Sequence, residues 1–175
     1  MMKRTLNELM LILPCVDNFK DWAESLPCPT MVGPYLCPNL DGMTLGQYMA
    51  LAHVEAESLL FDSVRIMLPY KLPDEVIGGF DSAEVVGFVW NLSKTVNQLN
   101  ELFESLNPEL SNEEKAAGPP NIGVMGLIEF ASTRFNKKYS EAERLNVWEV
   151  YEAMRIATET AEYKKRLQTI YSQRK

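Results

Sequence analysis

The sequence predicts an all-α fold, an irregular multi-helix bundle with a proline-rich, partly extended N-terminal segment. Three observations carry this expectation. Apolar residues recur at spacings of three and four over several long stretches. Thr, Asp or Asn stands at the start of those stretches with Glu or Gln three residues on, a helix-opening signal. No run alternates apolar and polar residues over strand length with β-branched enrichment. The chain has 175 residues, 46% hydrophobic and 23% charged, a globular mixture. Folding at this size buries roughly 70% of the unfolded surface, so a core needs no metal or disulfide.

Residues 1–40 hold five of the ten prolines, Pro14, Pro27, Pro29, Pro34 and Pro38, together with all three cysteines. Two short helices are expected there. One starts at Thr5, whose spacing to Glu8 makes a capping box, and is ended by Pro14. The other starts near Asp17. The remainder, including "LPCPTMVGPYLCPNLDG", shows no period and reads as extended chain draped over the body or partly disordered.

Residues 41–175 read as the helical domain, with a first helical group at 41–106, a loop at 107–121 and terminal helices at 122–175. Thr44 and Gln47 form a capping box, and Leu45, Tyr48, Met49, Ala52 and Ala56 then mark one helical face. Ser58 to Leu68 repeats the pattern through Leu59, Phe61, Val64, Met67 and Leu68, and Pro69 stops it. "LPDEVIGGF" reads as one helical turn ending at Gly78 and Gly79. Asp81 with Glu84 opens the clearest element. Val85, Val89, Leu92, Val96, Leu99, Phe103 and Leu106 form a seam with spacings of four and three, giving a helix of about six or seven turns. Phe88, Trp90 and Leu102 widen its apolar face beyond a coiled-coil stripe, so it is expected at the centre of the fold. After the loop, a helix from Val124 to about Phe135 turns Leu127, Ile128, Phe130 and Ala131 inward. Ser140 begins a short turn. Asn146 with Glu149 then caps a terminal helix whose stripe is Val147, Val150, Tyr151, Met154, Ala157 and Ala161.

The formal net charge of -7 argues against a nucleic-acid partner, because phosphate contact needs a basic surface. No stretch has the length of a transmembrane helix, so no membrane partner is expected. The opening "MMKRTLNELMLILPC" fits a secretion signal poorly, since Asn7 and Glu8 precede a short apolar run. A cytoplasmic location is the expectation. Cys15, Cys28 and Cys37 with the single histidine, His53, could supply four zinc ligands. No close ligand pair exists among them, and reduced thiols without a bound metal are expected.

Catalytic constellations are missing from the pattern. Glu55 and Glu57 fall on different sides of a helix, and Glu141, Glu143 and Glu149 stand where acids favour helix N-termini. His53, in "MALAHVEAE", is expected on a helix as a structural residue without a nucleophile or acid partner. Neither Gly118-Pro119-Pro120 nor Gly78-Gly79 matches a phosphate loop or dinucleotide fingerprint, so no cofactor is expected. The protein reads as non-enzymatic.

The order of the pieces resembles a known family. "DGMTLGQYMAL" resembles the opening of small tail-assembly proteins of phages infecting Bacteroidetes-like hosts. Segments comparable to "FDSVRIMLPYKL", "SAEVVGFVWNLSKTVNQLNELFESL", "GVMGLIEFASTRFNKKYSEAERLNVWEVYEAM" and "ATETAEYKKRLQ" follow in the same order. The resemblance covers about Pro38 to Gln168 and implies a phage tail assembly chaperone. Such a protein coats the helical tape measure protein in the host cytoplasm until tube subunits polymerise around it. A structural connector or baseplate-type virion component is the alternative, and a small helical enzyme the third reading.

A contact surface for the tape measure protein, another tail protein or a second copy is expected at the end of the terminal helix. There "EYKKRLQTIYSQRK" sets Leu167, Ile170 and Tyr171 among its cations. An end so sparse in apolar residues gains little from burial within the chain and is expected to fray or project. Lys164, Lys165, Arg166, Leu167, Ile170 and Tyr171 are the candidate partner-binding residues, with an ordinary frayed terminus as the alternative.

Overall fold

The computed structural model describes residues 4–12, 18–106 and 123–173. Cys15, Asp17, the expected loop at 107–121, and Arg174 and Lys175 lie outside the described residues. Within them the chain is all-α apart from one small sheet. Its elements are α1 (Leu6–Ile12), α2 (Phe19–Ser25), β1 (Met31–Val32), β2 (Tyr35–Leu36), a 3-10 turn (Leu40–Gly42), α3 (Leu45–Leu51) and α4 (Leu59–Met67). They continue with α5 (Asp74–Gly78), α6 (Ser82–Ser105), α7 (Gly123–Phe135), α8 (Tyr139–Ala142) and α9 (Val147–Ser172). The chain forms two compact units, Met1–Met43 with Gln47–Gln98, and Thr44–Gly46 with Leu99–Lys175.

The first unit is built on the opening turns of α6. Val85, Val86, Phe88 and Val89 are all at most 3% exposed, and Gly87 between them is also buried. Five consecutive buried residues cover every side of a helix, which explains why its apolar face is wider than a seam. Of the seven seam positions, Val85, Val89, Leu92 and Leu99 are buried, while Val96, Phe103 and Leu106 are half-buried.

The N-terminal segment supplies part of that cover. The Thr5–Glu8 capping box forms as expected, with the Thr5 N–H donating to Glu8 Oε2 at 2.8 Å and the Glu8 N–H to Thr5 Oγ1 at 3.3 Å. Leu6 N–H donates to the Phe80 carbonyl and Ser82 N–H to that of Arg4, both at 2.9 Å, which ties the start of α1 to the start of α6. At Gly87 the segment runs so close that an added Cβ would lie 2.8 Å from the Pro27 carbonyl oxygen.

The expectation of no strand fails at "MVGPYL". Met31 pairs with Leu36 and Val32 with Tyr35 in an antiparallel hairpin. Its Gly33 sits at φ +61, where an added Cβ would meet the Phe80 ring at 2.6 Å. Glycine alone fits both demands. The sequence pattern pairs Glu84 with Asp81 at the start of α6, and the structure also gives Glu84 a distant partner. Glu84 Oε2 accepts the Gly33 N–H at 3.1 Å, while Asp81 Oδ1 accepts the Ala83 N–H at 2.9 Å. One carboxylate caps the helix and the other pins the hairpin turn.

The helix opened at Thr44 is shorter than its pattern. It ends at Leu51, where the His53 and Val54 N–H groups donate three residues back to Ala50 and Leu51, closing the last turn. Ala52 and Ala56, expected on the inward face, are exposed. His53 therefore lies in a turn and not on a helix. The Gln47 side chain donates to the Ile66 carbonyl at 3.3 Å. Arg65 on α4 pairs with Asp62 and with Asp74 at the start of α5, and its Nε donates to the Leu72 carbonyl at 3.2 Å.

In the second unit, Leu45 N–H donates to the Leu145 carbonyl and Gly46 N–H to that of Glu143, both at 2.8 Å. Ile128 and Ala131 of α7 are buried, and α7 packs on both α8 and α9. Asn146 caps α9 as expected, its Oδ1 accepting the Trp148 N–H at 2.8 Å. Val147 and Val150 are fully buried, and Tyr151 meets Phe103 edge-to-face at 5.7 Å.

Candidate functional site

The 26 residues of α9 change character along its length. The first turns dock through Val147 and Val150, with Trp148, Tyr151 and Met154 half-buried beside them. Ala157 and Ala161, expected to continue that stripe, are exposed. All six candidate residues fall on continuous helix. Lys164, Lys165, Arg166, Ile170 and Tyr171 are exposed and Leu167 is half-buried. The segment keeps its helical form to Ser172 with most of its side chains exposed.

Apolar residues do not vanish from this distal half; they change sides. Ile156, Tyr163 and Ile170 are 49%, 56% and 46% exposed. At 100° per residue, these three and Leu167 fall within about 60° of one another and about 180° from the Val147 face. The docking face itself becomes Thr158, Ala161, Lys165, Gln168 and Ser172, too polar to bury. Ile156 and Tyr163 escape a reading that extends the first stripe through Ala157 and Ala161. The signal that finds them is the 4-3-4-3 spacing of Ile156, Thr160, Tyr163, Leu167 and Ile170. An arginine clamp supports the middle of the helix. Arg155 Nε donates to Glu152 at 3.0 Å and its Nη1 to Glu159 at 2.6 Å.

An open cleft of about 520 Å³ is lined by Ala50, His53, Val54, Glu55, Ser58, Asp62, Arg65 and Ile66. Its polar groups are engaged in local structure. His53 Nδ1 bonds the Met49 carbonyl at 2.8 Å, the Ser58 hydroxyl donates to the Glu55 carbonyl at 3.4 Å, and Arg65 is held by two carboxylates and a carbonyl. A nucleophile needs a base within hydrogen-bond reach, and Ser58 directs its proton to a backbone carbonyl.

Cys28 and Cys37 are free thiols at the base of the hairpin, where the Cys37 N–H donates to the Thr30 carbonyl at 2.9 Å. Burial pushes the Cys37 thiol up to about 11, and the Cys28 sulfur beside it adds to the shift. A thiol held protonated at neutral pH is a poor nucleophile and a poor metal ligand. Among the described residues no group of three or more His, Cys, Asp and Glu side chains is placed to hold a metal ion. No helix among them is long and apolar enough to cross a membrane.

Comparison with protein-family models, with curated proteins and with solved structures finds no match to this chain.

Proposed function

We propose that this protein is a non-enzymatic phage tail assembly chaperone, which covers the apolar stripe of the helical tape measure protein in the host cytoplasm during tail morphogenesis. The observation that carries the reading is the distal half of α9, a continuous helix whose apolar stripe faces away from the unit it belongs to. A helix that leaves Ile156, Tyr163 and Ile170 exposed and Leu167 half-buried is suited to pair with another amphipathic helix, side by side. Tyrosine and arginine, which concentrate binding energy, stand along the same segment as Tyr163, Arg166 and Tyr171. A long client helix aggregates when its own stripe is bare, so a chaperone of this form needs only to cover it and release it.

Deleting residues 164–175 tests the reading. The remaining chain is expected to keep its thermal transition within a few degrees, because the removed side chains bury little. Co-purification with the tape measure protein is expected to fall to background. Undiminished capture by the truncated chain would place the client elsewhere. Mass spectrometry of finished particles separates this reading from that of a connector or baseplate component, which would remain in them.

A further inference from the structure

The distal stripe of α9 lies beside a segregation of charge along the same helix. From Val147 to Glu162 the helix carries Glu149, Glu152, Glu159 and Glu162 against Arg155 alone. From Tyr163 onward it carries Lys164, Lys165 and Arg166 and no acidic side chain. Two such helices laid parallel set basic end on basic end. Laid antiparallel, they set each basic half on an acidic half. From this complementarity we infer that the seam Ile156, Thr160, Tyr163, Leu167 and Ile170 is the site at which a second copy of this chain docks, its α9 antiparallel to the first. The inference rests on the reading of distal α9 as a contact surface and names the chain that covers it when no client is present.

The spacing fixes the register. Alternating steps of four and three put the seam in coiled-coil phase, where positions of the two classes face each other across an antiparallel pair. Ile156 then meets Leu167 of the second copy, Thr160 meets its Tyr163, and Ile170 meets its Ala153. On one flank of the seam Glu159 faces Arg166 of the second copy, and the two-fold axis repeats the pair. The overlap runs over residues 153–170, about 27 Å of helix. The docking turns around Val147 face the opposite side of α9, about 180° away, so each copy's own packing leaves the seam open. An overlap this short predicts weak, concentration-dependent pairing.

Sedimentation equilibrium on the full chain, without client, reads the outcome. The weight-average mass is expected to rise from one chain towards two as concentration increases from about 1 to 100 μM, the range for so small an interface. Leu167→Asp is expected to hold the mass at one chain while the thermal transition stays in place. Arg166→Glu sets carboxylate against carboxylate at both symmetry-related pairs and is expected to weaken pairing roughly tenfold. Adding Glu159→Lys to Arg166→Glu restores the opposite charges and is expected to restore pairing. A parallel pair behaves otherwise, because there Glu159 faces Lys164 of the second copy and the double variant brings lysine against lysine. A chain that stays at one mass throughout, a dimer untouched by Leu167→Asp, or a double variant no better than Arg166→Glu overturns the inference. Capture of the tape measure protein by a chain that never dimerises would overturn it while leaving the chaperone reading intact.

Discussion

The opening turns of α6 and the distal turns of α9 are both regular helix, yet they sit at opposite extremes of burial. Residues 85–89 are buried on every side, whereas Tyr163, Ile170 and Tyr171 are about half exposed. The difference is not one of helix propensity. In α6 the residues off the seam, Val86 and Phe88, are themselves apolar and buried, and the N-terminal segment closes over Gly87 between them. In α9 the residues on the docking side become Lys165, Gln168 and Ser172, so that side stays uncovered, and the apolar residues the helix still carries lie on the opposite side. Core and exposed stripe are thus distinguished by the phase of the stripe more than by its apolar content.

Substitutions break or sharpen this contrast in descending order. Leu92, 1% exposed in α6, tolerates no charge. Leu92→Asp buries an unpaired carboxylate at a cost of several kcal/mol, and loss of the cooperative thermal transition is expected. Next is Gly87→Ala, a change that raises helix propensity by about 1 kcal/mol at an exposed site. Here its methyl meets the Pro27 carbonyl oxygen at 2.8 Å, and a net loss of about 1–3 kcal/mol in urea unfolding is expected. Arg65→Leu removes the link from α4 to Asp74 and the Leu72 carbonyl. The Arg65 side chain is about one third exposed and Asp74 more so, so a loss of no more than about 1 kcal/mol is expected by the same assay.

Cys37 gives a smaller, pH-dependent effect. The folded state raises its thiol from 9.0 to about 11 and so holds the proton more tightly than the unfolded chain does. Its contribution is fully retained at neutral pH. It is lost as pH rises from 9 towards 11, because only the unfolded chain then gains by ionising. Unfolding curves of the native chain and of Cys37→Ser are expected to run parallel below pH 8 and to diverge above 9, the native chain falling faster. The smallest effect on stability is expected from Leu167→Asp in distal α9, within about 0.5 kcal/mol. Leu92→Asp and Leu167→Asp make the same chemical change on the two long helices, and one should abolish folding while the other leaves it alone.

Local signals were the most legible in the sequence. Thr5 with Glu8 and Asn146 with Glu149 are signals within three residues, and Thr5 and Asn146 both cap their helices, Asn146 through the Trp148 N–H. The seam of α6 was legible because seven apolar positions in phase outweigh any single exception. The bond between Glu84 and Gly33 was not, since the two lie 51 residues apart. The hairpin has strands of two residues, too short for alternation to register, and only Gly33-Pro34 marks the turn. At the candidate surface, the six residues from Lys164 to Tyr171 could be read from composition. Ile156 and Tyr163 could not, because Ala157 and Ala161 suggested an unbroken stripe and hid the change of face.

Hydrogen exchange across α6 and α9 in the full chain, at low micromolar concentration, compares the two helices directly. Amides from 85 to 92 should exchange only through global opening, and those from 156 to 172 faster by a factor on the order of a thousand or more, since most of their side chains are exposed. Adding the tape measure protein should slow the amides of 156–172 and leave those of 85–92 as they were. Distal amides as slow as those of α6 in the dilute chain, or a client that protects other segments and leaves 156–172 unchanged, would contradict distal α9 as the contact surface.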